Sequence, residues 1–386
     1  MPVHSRRESN LDAVIVGAGV IGLSVAWRAA RRGLRVRVLE RRQPGDGASG
    51  VAAGMLAPVG EATWGEEELL SLALDSHTRW PRFAAEVTEA SGRDAGFIEL
   101  GSVHVALDRD ESEALRRRFD LMRSLDLDAT WLSARDVRAL EPGLSPSATA
   151  GVHAPHEAAI DPRVLLDALR AAAESAGAEL LTDCDVREAL VDDGRLVGVR
   201  TADGVAHRAT HIVLAAGAWS GEAAWLPAEV RPAVRPVKGE ILTLRGRDSA
   251  PITEHLVVSE RVYMVPRPDG RLIVGATVEE RGFDIRVTVG GVYELLREAY
   301  RALPDVSELE LVEATAGLRP CTPDNAPLIG QAELNGLVLA TGHFRNGILL
   351  APATAEGVVA LLAEEESPVD VGAFSPARFE SEAVAR

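Results

Sequence analysis

Residues able to do chemistry fall in two places: a glycine loop near the start, and arginine, tyrosine and histidine positions in the second half. The loop is Gly17-x-Gly19-x-x-Gly22, and Glu40 follows 18 positions after Gly22. Gly17 permits a tight turn, and Gly19 lets backbone approach a pyrophosphate with no Cβ in the way. Gly22 lets the following helix pack close to the strand, and that helix's N-terminal N–H groups and dipole favour phosphate charge. A carboxylate at Glu40 can accept both hydroxyls of an adenosine ribose and repels a 2′-phosphate. Glycine turns also arise for structural reasons alone. Here the apolar run before, the helical pattern after and the spacing of the acid agree on a dinucleotide site. FAD and NAD both remain open on this stretch.

In the second half, Arg319 sits in Gly317-Leu318-Arg319-Pro320, read as following a strand and preceding a proline turn. An arginine there can hold a carboxylate with two parallel charge-assisted hydrogen bonds; the alternative is a surface loop arginine. Tyr263, between Val262 and Met264 in the middle of a strand pattern, can add a hydroxyl to the same carboxylate or can simply pack on a half-buried sheet. The run from Gly342 to Pro352, with His343, Phe344, Arg345, Asn346, Gly347, Ile348 and Leu349, reads as strand, glycine-flanked loop and helix start. Its backbone N–H groups would lie near an electron-rich ligand, and at a flavin they would polarise N1–C2=O. His343 reads as a packed loop histidine rather than a base. Cys321 reads as a buried free thiol rather than a covalent flavin attachment. His153 and His156 lack a third ligand and read as loop histidines rather than a metal pair.

Composition narrows the classes. The 386 residues suit two domains or one large one, with 46% hydrophobic and 26% charged residues, as in a soluble globular chain. A formal charge of −17 argues against nucleic acid or an anionic membrane as main partner. Cys184 and Cys321 lie far apart, which excludes a cysteine metal site or disulfide framework and fits a reducing compartment, hence a cytoplasmic location. Ser5-Arg6-Arg7 ahead of the apolar run from Leu11 superficially resembles a twin-arginine export signal. Cleavage after that run would destroy the nucleotide loop, so a disordered tail is preferred. No stretch of 18 uninterrupted apolar residues is present.

The elements that must position these residues follow from pattern. Leu11 to Val16 is a buried-strand run, the helix from Val20 stops at Gly33, and Val36 to Leu39 is the second strand. The stretch 44–60 is nearly all small residues, with Ser49, Gly50 and Gly54 admitting a flat ligand. A helix spans Glu66 to Ala90, and Phe97 to Leu107 is strand-like. Helices cover Asp110 to Ser124 and Ser133 to Leu140, and nothing between Asp108 and Pro155 suggests chemistry. Asp161-Pro162 opens a helix ending near Gly177. After a strand at Leu180-Leu181, Asp193-Gly194 and Asp203-Gly204 divide a three-stranded meander, and a separate apolar strand, His211 to Ala216, ends at Gly217. Helix, meander and return strand after the first βαβ unit favour FAD over NAD. From Arg231 to Thr315 the pattern becomes antiparallel, with strands at Glu240 to Leu244, Val262 to Pro266, Leu272 to Thr277 and Glu310 to Thr315 and one helix at Tyr293 to Leu303. The chain returns through a strand at Leu337 to Gly342 and a helix from Pro352 to Glu365.

On VGAGVIG at 16–22, AAGMLAP at 52–58, AAGAWS at 215–220, PVKGE at 236–240, VGAT at 274–277, GLRPCTPD at 317–324 and GHFRNGILLAP at 342–352, the chain resembles the glycine oxidase family. That family lies within the D-amino-acid oxidase superfamily and serves thiamine (thiazole) biosynthesis. The likeness spans Leu11 to about Leu362, and AAGMLAP and GHFRNGILLAP are its specific motifs. It is loose at Ser259-Glu260-Arg261 and Val278, which leaves substrate range open. The resemblance implies a non-covalent FAD touched at Val20, Ile21, Glu40, Arg41, Ala48, Ser49, Ala53, Gly54, Met55, Val186 and the 343–349 loop. It implies Arg319 as carboxylate clamp, Arg345 at the substrate, Tyr263 as active-site tyrosine, Glu61 as an acid near the pocket mouth, and a homotetramer.

The expected fold is α/β: an FAD-binding Rossmann-like domain of the D-amino-acid oxidase type with an inserted antiparallel-sheet substrate domain. Residues 10–96, 150–228 and 325–375 would form the first, 97–149 and 229–324 the second, with tails at 1–9 and 376–386. The expected activity is oxidation of glycine, and less well of sarcosine and small D-amino acids, to glyoxylate and ammonia. Hydride leaves Cα for flavin N5 with no side-chain base required, and O2 reoxidises the flavin to give H2O2. A dehydrogenase of the same fold using another electron acceptor is the nearest alternative, and a non-catalytic flavoprotein is a further one.

Overall fold

The computed structural model describes residues 11–247 and 251–379. The expected N-terminal tail, with Ser5-Arg6-Arg7, lies outside these residues. Strand Leu11–Val16 is buried because every residue from Ala13 to Ile15 is apolar, and it pairs in parallel with Val36–Leu39 on one side and Ala206–Leu214 on the other. The sheet runs Val186–Asp192, Arg195–Thr201, Ala206–Leu214, Leu11–Val16, Val36–Leu39, Glu179–Leu181, with Leu337–Thr341 and Leu328–Gln331 joined beside Ala206–Leu214. The last strand of the expected meander and the strand expected from His211 are one, Ala206–Leu214. Its first half pairs antiparallel with the meander, and its second half pairs in parallel with Leu11–Val16 and Leu337–Thr341. Continuous hydrogen bonding carries the chain from hairpin to core without a break.

Helices Val20–Arg31, Glu67–Ser91, Pro162–Ser175 and Ala351–Leu362 share one core with this sheet. Asp161 caps the third of them, its side chain accepting from the Arg163 and Val164 amides. Fully buried Trp27, Trp80 and Phe83 meet edge to face at 5.2 and 5.3 Å, an aromatic pairing worth about 1 kcal/mol per contact beyond burial. No described helix is long and apolar enough to cross a membrane.

A second eight-stranded sheet runs Glu310–Cys321, Arg235–Arg245, Arg271–Gly275, Tyr263–Pro266, Leu256–Val258, Ser102–Ala106, Ala150–Ala154, Thr130–Ser133. All its pairings are antiparallel except Leu256–Val258 on Ser102–Ala106. Its own core includes Leu242, Val257, Met264, Val274 and Leu295, the last from helix Val289–Ala302. Several expectations are corrected here. The strand-like stretch 97–107 breaks at Leu100-Gly101, where Gly101 takes φ +65°, and its halves enter different sheets. Ala150–Ala154 pairs with Ser102–Ala106, so this sheet extends past the boundary expected at residue 149. Pro376–Phe379 forms a 3-10 turn, and Arg378 pairs with Asp324 at 2.7 Å, so the first part of the expected C-terminal tail is docked.

Candidate active site

One cavity of about 800 Å³ lies between the two large sheets, and its wall draws on both. At the glycine-loop end, Gly17 holds φ +109°, and a Cβ there would stand 2.5 Å from the Ala215 carbonyl oxygen. A Cβ on Gly22 would stand 2.0 Å from the Gly17 oxygen, so Gly22 shapes the turn from behind and does not line the cavity. Helix Val20–Arg31 has no side-chain cap and no acid in its first turn. Ser49 Oγ accepts from the Val20 amide at 3.0 Å, while the Gly19 and Ile21 amides donate to no acceptor among the described residues. Such orphan donors at a helix start favour an anion.

The Glu40 carboxylate is fixed at the end of Val36–Leu39 by the Ala18 amide at 2.8 Å and the Arg42 amide at 2.9 Å. Arg41 lies over the Trp219 ring at 4.7 Å, and both line the same wall. Ala48, Ser49, Ala53, Gly54, Met55, Val186 and Gly217 complete it. Gly54 is required at φ +73°, because a Cβ would meet the Ile160 oxygen at 1.9 Å.

The 343–349 loop divides. His343, Phe344, Arg345, Gly347 and Ile348 line the cavity. The Gly347 and Ile348 amides donate to no acceptor among the described residues, leaving two donors for an electron-rich group. Asn346 and Leu349 stand outside the wall: the Asn346 carbonyl accepts from the Leu350 amide, and the Leu349 carbonyl accepts from Ser76 Oγ and Trp80 Nε1. His343 is buried with Nε2 at 3.0 Å from Thr354 Oγ1, and burial pushes its pKa down to about 3, so it is a neutral packed histidine. Cys321 is a buried free thiol behind the loop. His153 packs edge-on against His255, and His156 pairs with Asp128 at 3.0 Å. Among the described residues no group of His, Cys, Asp and Glu is arranged to hold a metal ion.

At the other end stand Arg319, Tyr263, Arg345 and Glu61. Arg319 lies within strand Glu310–Cys321, opposite Val237, rather than after a strand. Its guanidinium lies over Gly239, where a Cβ would stand 2.2 Å from Nη1, and Nη1 donates to the Thr277 carbonyl at 3.1 Å. Tyr263 opens strand Tyr263–Pro266 rather than sitting mid-strand. Its ring covers Gly275, its register partner, where a Cβ would lie 2.5 Å from the ring. Burial pushes the Tyr263 hydroxyl's pKa up against the pull of Arg319, so it stays a neutral donor. Arg345 Nη2 pairs with Glu66 at 3.1 Å, and Nε stands 3.9 Å from Glu61. The Glu61 side chain keeps 27% of its surface exposed. That surface lines the cavity. Desolvation raises its pKa, while Arg345, Arg118 and Arg319 pull the other way.

Arg118 is the residue sequence reasoning missed. It comes from helix Arg109–Ser124, in a stretch read as chemically silent, and lines the cavity. The signal was a charge three residues after Leu115 and four before Met122, both buried, which puts it on the apolar stripe of that helix.

Residues 12–361 match the model of the DAO family, described as FAD dependent oxidoreductase. The chain belongs to that family. It is 37% identical over 372 residues to a glycine oxidase of Geobacillus kaustophilus, covering 95% of this chain and 97% of that one. It is 36% identical over 374 residues to the bifunctional protein ThiO/ThiG of Trichormus variabilis, covering 96% of this chain and 56% of the relative, so it spans about half that protein's length. The crystal structure of the Geobacillus kaustophilus glycine oxidase superposes with a TM-score of 0.89 at 35% identity, covering 96% of this chain and 99% of the other. The fold is therefore the expected α/β fold of the D-amino-acid oxidase type, and the protein is an FAD-dependent oxidoreductase. Its cavity fits that cofactor: a backbone-fixed carboxylate, orphan amides at a helix start and a second pair of free amides stand on one wall.

Proposed function

We propose that this FAD-dependent oxidoreductase oxidises glycine, and less well sarcosine and small D-amino acids, to glyoxylate, ammonia and H2O2. In the cell this would supply thiazole synthesis for thiamine. The observation carrying the reading is the Arg319–Tyr263 pair, set on one sheet face and lining the same cavity as Gly347 and Ile348. Identity of 37% to a glycine oxidase over nearly the whole length supports the choice of substrate.

In this reading Glu40 receives the ribose hydroxyls, the Gly19 and Ile21 amides the pyrophosphate, and the Gly347 and Ile348 amides the flavin's carbonyl edge. Bound without a covalent link, FAD supplies a two-electron acceptor that takes hydride from the substrate carbon and is reoxidised by O2. Arg319 binds the α-carboxylate through charge-assisted hydrogen bonds, and Tyr263 adds a neutral donor. Two fixed points on the carboxylate orient the adjacent Cα–H, so positioning supplies most of the catalysis. Glu61, 3.9 Å from Arg345, would accept a hydrogen bond from the neutral amine, whose lone pair is then free to assist hydride departure. The imine product hydrolyses to glyoxylate and ammonia.

The proposed division keeps one discontinuous FAD-binding domain around the first sheet and a substrate domain around the second. Residues 150–154 move to the substrate side on their pairing. We further propose a cytoplasmic homo-oligomer, a tetramer by family resemblance.

The test is anaerobic titration of the holoenzyme with glycine, followed by air. Bleaching of the flavin and its return with peroxide supports the reading. Bleaching without rapid return would indicate a dehydrogenase using another acceptor. No bleaching with glycine, sarcosine or D-alanine would overturn the substrate assignment.

A further inference from the structure

The guanidinium of Arg319 is seated on two peptide groups. Its Nη1 donates to the Thr277 carbonyl at 3.1 Å and, less closely, to the Lys238 carbonyl at 3.4 Å. Nε and Nη2 donate to no carbonyl among the described residues. One corner of the fork is thereby tied to main chain, and the rest is left for a ligand. Where those two carbonyls stand decides where the fork points.

Both peptides are fixed from behind the cavity wall. Along strand Arg235–Arg245, Gly239 and Ile241 line the cavity while Lys238 and Glu240 do not, as alternation along a strand requires. Just past strand Arg271–Gly275, Ala276 and Val278 line it while Thr277 does not. On the reverse side, Lys238 Nζ pairs with Glu240 Oε1 at 2.7 Å and with Glu279 Oε1 at 3.4 Å. Lys238 and Glu240 are both fully buried. Thr277 Oγ1 accepts from the Glu240 amide at 2.9 Å and donates to Glu279 Oε1 at 3.0 Å. The Lys238 and Glu279 backbones exchange N–H···O bonds at 2.9 and 3.0 Å. Glu240 Oε1 also accepts from the Thr288 amide and hydroxyl, at the cap of helix Val289–Ala302. A buried ion pair adds little net stability, because desolvation offsets the attraction. Its consequence here is geometric: the cluster grips the same two residues, Thr277 and Lys238, whose carbonyls hold Arg319.

We propose that Thr277 is a positioning residue for the substrate carboxylate: its carbonyl seats Arg319, and its hydroxyl, locked into the buried Lys238–Glu240–Glu279 cluster, fixes that carbonyl. This rests on the reading of Arg319 as the carboxylate site. Loss of the two Oγ1 bonds frees the 276–279 segment to shift, and Nη1 then loses its nearer acceptor. The guanidinium settles off the line that aims the adjacent Cα–H. The loss falls on the carboxylate end of the cavity and leaves the glycine-loop end in place.

The experiment titrates FAD-saturated holoenzyme with acetate, a carboxylate with no amine to oxidise, and reads the perturbation of the flavin spectrum. Thr277→Val keeps the branched shape and removes the hydroxyl. It should weaken acetate about fivefold or more, the effect of one neutral hydrogen bond, and raise KM for glycine by a similar factor with FAD content unchanged. Thr277→Ser should restore most of the loss. Placed on Arg319→Met, Thr277→Val should change acetate affinity little, since its effect passes through Arg319. An acetate Kd unmoved by Thr277→Val, or a loss that adds in full to that of Arg319→Met, would overturn the proposal and leave Thr277 as packing. Should Thr277→Val not retain FAD, Glu279 carries the same test. Glu279→Leu removes the acceptor of the Thr277 hydroxyl and Glu279→Gln keeps one, so acetate should weaken with leucine only, and equal affinities would overturn the proposal. Acetate binding unchanged by Arg319→Met would sink the underlying reading of Arg319, whereas a loss with Arg319→Met but none with Thr277→Val would sink this inference alone.

Discussion

Replacing Glu157 by glutamine tests the electrostatics behind the site. Glu157 is 1% exposed, and Oε2 has no partner among the described residues. Burial raises its pKa from 4.5 to about 7, opposed first by the Ser102 hydroxyl and then by the Gly60 amide and Arg118, with Glu61 adding to the rise. The folded state thus binds a proton more tightly than the unfolded chain, and the carboxyl favours folding most below pH 4.5. That advantage is lost as pH rises from 4.5 to about 7, above which the deficit is constant. The shift corresponds to about 3 kcal/mol. Glutamine keeps an oxygen for the Gly60 amide and cannot ionise. Glu157→Gln should therefore come within about 1 kcal/mol of the wild type near pH 5 and exceed it at pH 8 by up to about 3 kcal/mol. Unfolding entropy for a chain of this length is about 0.8 kcal/mol per kelvin, so Tm at pH 8 should rise by up to about 4 °C. Scanning calorimetry at both pH values, with FAD saturating so that cofactor binding is held fixed, reads the difference. A Tm difference that is the same at pH 5 and pH 8, or a loss at pH 8, would refute the reasoning.

Other perturbations address the cavity itself. Arg319→Met should lower kcat/KM for glycine at least ~30-fold, chiefly through KM, with the flavin spectrum retained; an unchanged KM would remove Arg319 from the carboxylate. Gly239→Ala places a methyl 2.2 Å from Arg319 Nη1, so it should raise KM by about tenfold or more. Combined with Arg319→Met it should add little, because both act on one contact, and full additivity would refute that link. Tyr263→Phe removes one neutral hydrogen bond and should cost about three- to tenfold in kcat/KM, an estimate that unchanged kinetics would contradict. Gly17→Ala forces φ +109° on a residue with a Cβ against the Ala215 oxygen. It should purify largely without FAD, measured as visible flavin absorbance per protein, and full loading would refute the fit.

The glycine loop, Glu40, the meander and the 342–352 run were legible because local chemistry dictates them: glycine where a Cβ collides, Asp-Gly at turns, apolar runs in buried strands. Arg319 and Tyr263 were legible by type, but their places in the strands were not. Strand ends here are set by pairing with Arg235–Arg245 and Arg271–Gly275, partners distant in sequence. The split at Leu100-Gly101 was hidden for the same reason, since two sheets compete for one apolar run. Arg118 was hidden by its neighbours Arg116 and Arg117, which are exposed and make the segment look like an ordinary solvated face. Only the tertiary placement of Glu61 opposite that helix shows which arginine turns inward.

Arg319 and Tyr263 stand on strands separated by two others, and each leans inward over a glycine of the strand beside it. Antiparallel register puts Arg319, Gly239, Gly275 and Tyr263 on one face. The strands carrying the two groups are thus about 14 Å apart across the sheet, three strand spacings, and the register from Val237 to Ile241 sets the offset along them, a gauge fixed by main-chain hydrogen bonds rather than by loops. Sequence drift in the loops can reshape the rim at Ser259, Glu260 and Arg261 but cannot widen this jaw. Under the proposed reading, substitutions at that rim change what lies beyond the α-carbon while the grip on the carboxylate stays the same.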